Sequence, residues 1–420
     1  MNPFPRLLRV RQNFSPSSPL KIDATLDVEF ARLLPRIEFG ARIAVGVGSR
    51  GITNLAEIVS GVVSRLRDAG ANPFLIPAMG SHGGATPEGQ LELLDSYGIT
   101  EKTMRAPIRA SMETRQLGQS AEGVPVFCST EALSADGILL VNRVKPHTDF
   151  FSTTLGSGLL KMSVIGLGKR DGAAAMHRAA MRLGYEPVIR GMARVVLEHA
   201  PVLGGLAIIE NQFHETARLQ FIPGNELETA EVALLAEARS LMPLLPFEEV
   251  DLLIVDRIGK NISGAGMDPN VIGRSIHGYS SMLGRDNRPA PFIRRIYVRG
   301  LTPETHGNAI GIGMADATTA RLARDLNARI TSINCLTALT PQGAKLPMQC
   351  DSDREAIDLM LESLAIPDTR AARLVRIADT LTLAELEISE PLWNEAGSSA
   401  KLGVIREAAE MQFDADGSLG

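Results

Sequence analysis

Short apolar, β-branched runs alternate along this chain with segments of helical period, and each run gives way to a polar or glycine-rich turn. That alternation is the pattern of parallel α/β units. Residues 41–47 (ARIAVGV) read as a buried strand and Gly48-Ser49-Arg50-Gly51 as its exit loop. Asn54 then caps a helix whose apolar positions Leu55, Ile58, Val59, Val62 and Leu66 share one face, and Gly70 ends it. Residues 73–78 read as the next strand and Gly80-Ser81-His82-Gly83-Gly84 as its loop; Thr86-Pro87-Glu88 opens a helix with proline in its first turn. A third strand at 136–142 (DGILLVN) leads into Arg143-Val144-Lys145-Pro146-His147. Three strand exits therefore deliver Arg50, His82 and His147. Ligands of open α/β sheets bind outside the carboxyl ends of the strands.

The two prolines of 242–250 (MPLLPFEEV) interrupt the helical period, and a fresh strand, 251–256, follows them. This predicts a boundary between an N-terminal α/β domain, 1–245, and a C-terminal α/β domain, 246–395. The second domain is expected to hold strands at 251–256, 293–298 and 329–334 and helices at 316–326 and 352–364. The tail, 396–420, is expected to pack back on the first domain.

Composition narrows the function classes. A chain of 420 residues with 45% hydrophobic content has room for two cores. Its 48 acidic and 43 basic residues leave a net charge of -5, which offers no footprint for wrapping nucleic acid. The cysteines Cys128, Cys335 and Cys350 form no CxxC motif and no disulfide framework, as in a reducing cytoplasm. The N-terminal stretch lacks the apolar core of a signal peptide, and no apolar run approaches the roughly 18 residues of a membrane span. A soluble, cytoplasmic protein acting on small molecules is the expectation.

Candidate chemistry concentrates between Pro146 and His177. Gly156 and Gly158 would let backbone N–H groups close on a phosphate as an anion cradle, or else serve tight helix packing. Gly166-Leu167-Gly168-Lys169 superficially looks like a nucleotide loop but does not follow a clean strand. Among seven histidines, His82, His147 and His177 fall in the first domain's candidate cleft loops. Two imidazoles on separate strand exits suit an acid/base pair, because imidazole takes and returns a proton near neutrality. His177 follows Gly172-Ala173-Ala174-Ala175-Met176, small neighbours that would let it reach a metal, yet no HxH or HxxxH partner accompanies it. Arg50 reads as a bidentate carboxylate or phosphate anchor, or as a surface ion pair. Lys161, inside Leu159-Leu160-Lys161-Met162, reads as a desolvated nucleophilic amine or as a side chain snorkelling to water.

In combination, Arg50 after one strand, Gly80-Ser81-His82-Gly83 after the next, Pro146-His147, a glycine-rich run into Lys161, and His177 sixteen residues later resemble the nickel-dependent lactate racemase family. The match is strongest over 42–177. The resemblance implies two Rossmann-like α/β domains with the active site in the interdomain cleft. The implied cofactor is a nickel-pincer nucleotide, nickel pyridinium-3,5-bisthiocarboxylic acid mononucleotide, made by separate maturation enzymes. By resemblance His177 is the nickel ligand, Lys161 the residue able to bond the pincer, His82 and His147 the acid/base pair, and Arg50 the anchor of the substrate carboxylate. The implied reaction inverts C2 of a 2-hydroxy acid by reversible hydride transfer to the pincer. The resemblance thus implies a racemase or epimerase.

Two departures stand out. Better-known members carry Asp-x-x-Arg where this chain has Val47-Gly48-Ser49-Arg50, and the run from His147 to Lys161 is longer than expected. No residue of the second half carries over. There Lys260, Asn261 and Asp268, in a glycine-punctuated loop, read as ligands for polar substrate or cofactor phosphate, or as a plain loop. Thr305-His306-Gly307-Asn308 and Gly343-Ala344-Lys345 are weaker candidates. These polar loops suggest a substrate larger than lactate, such as a sugar acid. The alternatives are a zinc-type hydrolase using His82, His147 and His177 as three ligands, and a non-catalytic carrier of the nickel nucleotide.

Overall fold

The computed structural model describes residues 3–14, 20–49, 51–277, 291–396 and 401–420 of the chain, with the side chain of Arg36 left out. The fold is mixed α/β and divides into two units, one formed by Ser17–His147 and Ser152–Met242, the other by Met1–Pro16, Thr148–Phe151 and Pro243–Gly420.

The first unit is built on a five-stranded sheet in the order Asn72–Pro77, Arg42–Val47, Gly137–Arg143, Val202–Glu210, Thr216–Pro223. Its first four strands are parallel and the last is antiparallel. Parallel strands are covered on both faces, so they read as continuous apolar runs. Val45, Val47, Leu139 and Val141 accordingly share a core with Ile58, Val59, Val62 and Leu66 of the Leu55–Asp68 helix. Asn54 stands at that helix's N-cap with φ of 58° and no side-chain cap bond, so it turns the backbone rather than accepting an N–H. Thr86 caps the Pro87–Ser96 helix by accepting from the Gly89 N–H.

The second unit holds an eight-stranded sheet in the order Met348–Cys350, Ala317–Thr319, Phe292–Leu301, Glu249–Ile258, Leu374–Ile377, Glu385–Ser389, Leu7–Gln12, Leu402–Ala409. The first five strands are parallel and the rest antiparallel. Both ends of the chain enter this sheet. Leu7–Gln12 pairs Leu8 with Ile388 and Val10 with Leu386, and on its other edge Gln12 with Leu402. The closing segment, expected on the first domain, is thus built into the second sheet. Leu419 belongs to the same apolar cluster as Leu7, Leu252 and Ile254.

Two expected elements differ. Residues 329–334 are not a strand but part of the Ala328–Thr337 helix. The β-branched run ITSI suggested an extended chain; the Asn327 side chain accepts from the Ile330 N–H, and Thr331 and Cys335, four apart, form the buried stripe. The 316–326 helix begins as the short strand Ala317–Thr319, after which Thr319 caps the helix Ala320–Asp325. Among the described residues, no helix is long and apolar enough to cross a membrane.

Candidate functional site

The first unit's strand exits carry the candidate chemistry, because its parallel strands all discharge their loops at one edge. After Arg42–Val47 comes Ser49, and after Asn72–Pro77 comes His82. The Ser49 hydroxyl lies 2.6 Å from His82 Nδ1, joining two exit loops through one hydrogen bond. Arg50 lies outside the described residues. The backbone between strand and His82 turns at Gly80, where φ is 61° and a Cβ would stand 2.9 Å from the Ile165 side chain. Only glycine meets both demands without strain.

The third exit, after Gly137–Arg143, carries His147. Lys145 and Ser157 exchange backbone hydrogen bonds of 2.9 and 2.8 Å, closing the excursion between them at its base. The longer run from His147 to Lys161 therefore does not part the two residues. Lys161 Nζ lies 2.5 Å from His147 Nε2. Tyr185 packs against both candidate imidazoles of this region, its ring centroid 5.9 Å from that of His147 and, edge-on, 6.0 Å from that of His177. The helical run from Leu159 to Leu183 is interrupted by a wide π turn at Met162–Gly166 and by Lys169 at φ of 53°, so Lys161 and His177 stand on separate helical segments.

The glycine-rich cradle is filled from within. A Cβ on Gly156 would stand 2.4 Å from the Lys145 carbonyl oxygen, and one on Gly158 would stand 2.4 Å from the Glu231 carboxylate. Glu231 is buried and accepts the Leu160 N–H at 2.9 Å. Burial pushes its carboxyl up to about 7 against the pull of the Leu160 and Leu159 amides. Gly156 and Gly158 thus serve close packing, and the amides that would have held a phosphate hold an internal carboxylate.

Sequence reasoning missed Ser49, Gln90, Lys169, Tyr185 and Glu231. For Glu231 a signal existed: an acid among the buried Leu227, Leu234, Leu235 and Ala238 of one helix face. Lys169 is fully buried, 1% exposed, with Nζ donating to the Pro77 carbonyl at 2.5 Å and to Gln90 Oε1 at 3.0 Å. Desolvation draws its amine down to about 8. Of the two lysines in this stretch, only Lys161 stands against a candidate acid/base group.

Lys260 belongs to the second unit, where its amine donates to the Gly264 carbonyl at 2.8 Å. Asn261 accepts from the Thr302 hydroxyl, and Asp268 caps the Asn270 N–H, so this loop is knitted to itself and to neighbouring threonines.

No family model matches the chain, and no curated protein matches it by sequence. Among solved structures, the lactate racemase apoprotein from Thermoanaerobacterium thermosaccharolyticum superposes with a TM-score of 0.54 at 11% identity, over 90% of this chain and 99% of that one. The fold is similar to that of a lactate racemase apoprotein. A protein from Thermotoga maritima gives a TM-score of 0.52 at 14% identity, over 79% of this chain and 84% of that one. At such identities the likeness carries the fold and assigns no residue.

The donor set separates the metal readings. Among the described residues, no three His, Cys, Asp or Glu side chains converge to hold an ion, so His82, His147 and His177 do not form a three-histidine zinc site. His147, not His177, is the imidazole that meets Lys161, so a metal-bearing nucleotide at His177 would have to bring most of its own donors. Its phosphate would need a seat other than the cradle that Glu231 fills.

Proposed function

We propose that this protein is a racemase or epimerase that inverts C2 of a 2-hydroxy acid with a nickel-pincer nucleotide as cofactor. The carrying observation is that His82 and His147 leave two strand exits of one sheet, each with a ring nitrogen at bonding distance from a neighbour, Ser49 Oγ and Lys161 Nζ. A fold similar to lactate racemase apoprotein supports it.

In this reading each histidine serves one enantiomer. One imidazole takes the hydroxyl proton as the 2-hydroxy acid becomes a 2-oxo acid, and the other returns a proton when the opposite face is reduced. Ser49 holds the His82 ring at Nδ1. Arg50 grips the carboxylate through a two-pronged contact. When bound, the nickel-pincer nucleotide would supply the reversible acceptor for the C2 hydrogen and its electron pair. His177 would hold the metal, and Lys161 the pincer. The substrate class proposed is a larger, hydroxylated acid such as a sugar acid rather than lactate.

The test is intact mass and nickel content of protein made alongside the enzymes that build the nucleotide, followed by a screen of 2-hydroxy acids. A mass excess of one mononucleotide, near-stoichiometric nickel and inversion of a sugar acid are expected. No mass excess and no nickel, where a control racemase loads in the same cells, would overturn the proposal; lactate turning over far faster than sugar acids would overturn its substrate class.

A further inference from the structure

The His82 loop is held from two independent directions. Its ring is held by Ser49, and its backbone by a buried polar relay that begins at Lys169. Gln90, wholly buried, donates through Nε2 to the Gly80 carbonyl at 2.9 Å and to the His82 carbonyl at 3.3 Å. Its Oε1 accepts from Lys169 Nζ, which also donates to the carbonyl of Pro77, the last residue of the strand. Three carbonyls of one strand exit, those of Pro77, Gly80 and His82, are therefore tied directly or through one amide to a single cation.

The relay has a direction. An ammonium group has donors and no acceptor, so it can bond only the oxygen of the Gln90 amide, and this turns the NH₂ group toward the loop. Without that charge the buried Gln90 oxygen loses its donor, and the amide is held from the loop side alone. An apolar side chain would fill the same space without the cost of burying an amine. A packing role alone does not account for a lysine here.

We infer that Lys169 is a positioning residue, which acts through Gln90 to set the place of the His82 imidazole. This rests on the reading of His82 as a proton-transfer group. Lys169 itself touches no reacting atom.

The test uses the full-length chain with Lys169→Met and Gln90→Glu. The second variant keeps an acceptor for the ammonium and replaces the donors to the loop with an acceptor oxygen, so it reports even where Lys169→Met fails to fold. In protein labelled with ¹⁵N-histidine, the ring signals of His82, assigned by their loss in His82→Gln, are expected to shift or split in folded Lys169→Met and in Gln90→Glu. In cofactor-loaded protein, nickel content is expected to be unchanged and kcat to fall about ten- to a hundredfold with little change in KM, the scale of a misplaced reacting group. His82 signals in Gln90→Glu that superimpose on those of the parent protein would overturn the inference. If the parent protein racemises no 2-hydroxy acid, the functional reading fails alone, because the ring signals of the unloaded protein still decide the relay.

Discussion

The two units use one architectural grammar and differ in the polar groups they gather beside their sheets. In the second unit, carboxylates on or beside the sheet are saturated by arginine. Asp353, fully buried, accepts from Arg299 at 2.7 Å, from the Tyr297 hydroxyl at 2.5 Å and from the Leu419 N–H at 2.8 Å. Asp256 is bonded by Arg299 and Arg376, and Asp251 by Arg373 and Arg294. Guanidinium groups do not deprotonate, so these clusters store charge without exchanging protons. The first unit has such a pair on its sheet, Arg143 with Glu210, and beside it holds imidazoles, an amine and a buried carboxyl raised to about 7: His82 on Ser49, His147 on Lys161, and Glu231 on backbone amides. Groups of this kind trade protons at physiological pH. One sheet is braced by several arginine–carboxylate pairs, and the other gathers imidazoles and an amine at its strand exits.

The contrast breaks first at the histidines. Replacing His82 or His147 with alanine is expected to lower racemisation by about 10²–10⁴-fold, the usual worth of a general acid or base, with thermal unfolding and nickel content near those of the parent. Retained activity in either variant would remove that residue from the acid/base pair.

Asp353→Ala should act on stability instead. Leaving Arg299 without its main carboxylate is expected to cost about 3–5 kcal/mol in urea unfolding, the range for breaking a buried ion pair from one side. A loss below about 1 kcal/mol would mean that the cluster behaves like a surface pair.

A finer test uses pH. Burial raises the Asp353 carboxyl, but the bonds from Arg299 and Tyr297 outweigh it and hold the group below the ordinary carboxylate range. Its stabilisation is therefore present above the unfolded value near 4 and is lost as pH falls through the folded value. Glu231 runs the other way. Its folded value of about 7 lies above the ordinary 4.5, so between these the folded chain binds the extra proton and stability falls as pH rises. Glu231→Gln should flatten that slope, worth on the order of 3 kcal/mol across the window. An unchanged slope in urea titrations from acid to neutral pH would show that Glu231 does not titrate there.

What was legible in the sequence follows from the range of each interaction. The parallel strands and their exits were readable because apolar runs and glycine turns are local, and the Leu55–Asp68 helix shows its buried face at three- and four-residue spacing. The lysine–histidine contact was open only as far as both residues were candidates, since the Lys145–Ser157 bridge that closes the intervening chain leaves no mark in composition. The relay from Lys169 joins residues 79 and 92 positions apart, and no periodicity reports it. The cradle was misjudged for a related reason: glycine density shows that something comes close, not whether it is a ligand or Glu231. The Ala328–Thr337 helix was hidden by β-branched residues of which Ile330 and Ile333 remain exposed, so its apolar pattern does not follow its buried stripe.

The threading of the chain sets an order of assembly. Arg11 meets Glu385 across a separation of 374 residues, while the strands of the five-stranded sheet all lie within the intervening stretch. On the ribosome the first of these sheets can close while the strand Leu7–Gln12 still waits for both of its neighbours. Refolding should therefore proceed in two phases, the five-stranded unit with its histidines early and the arginine-braced sheet late, with the long-range closure setting the slower rate.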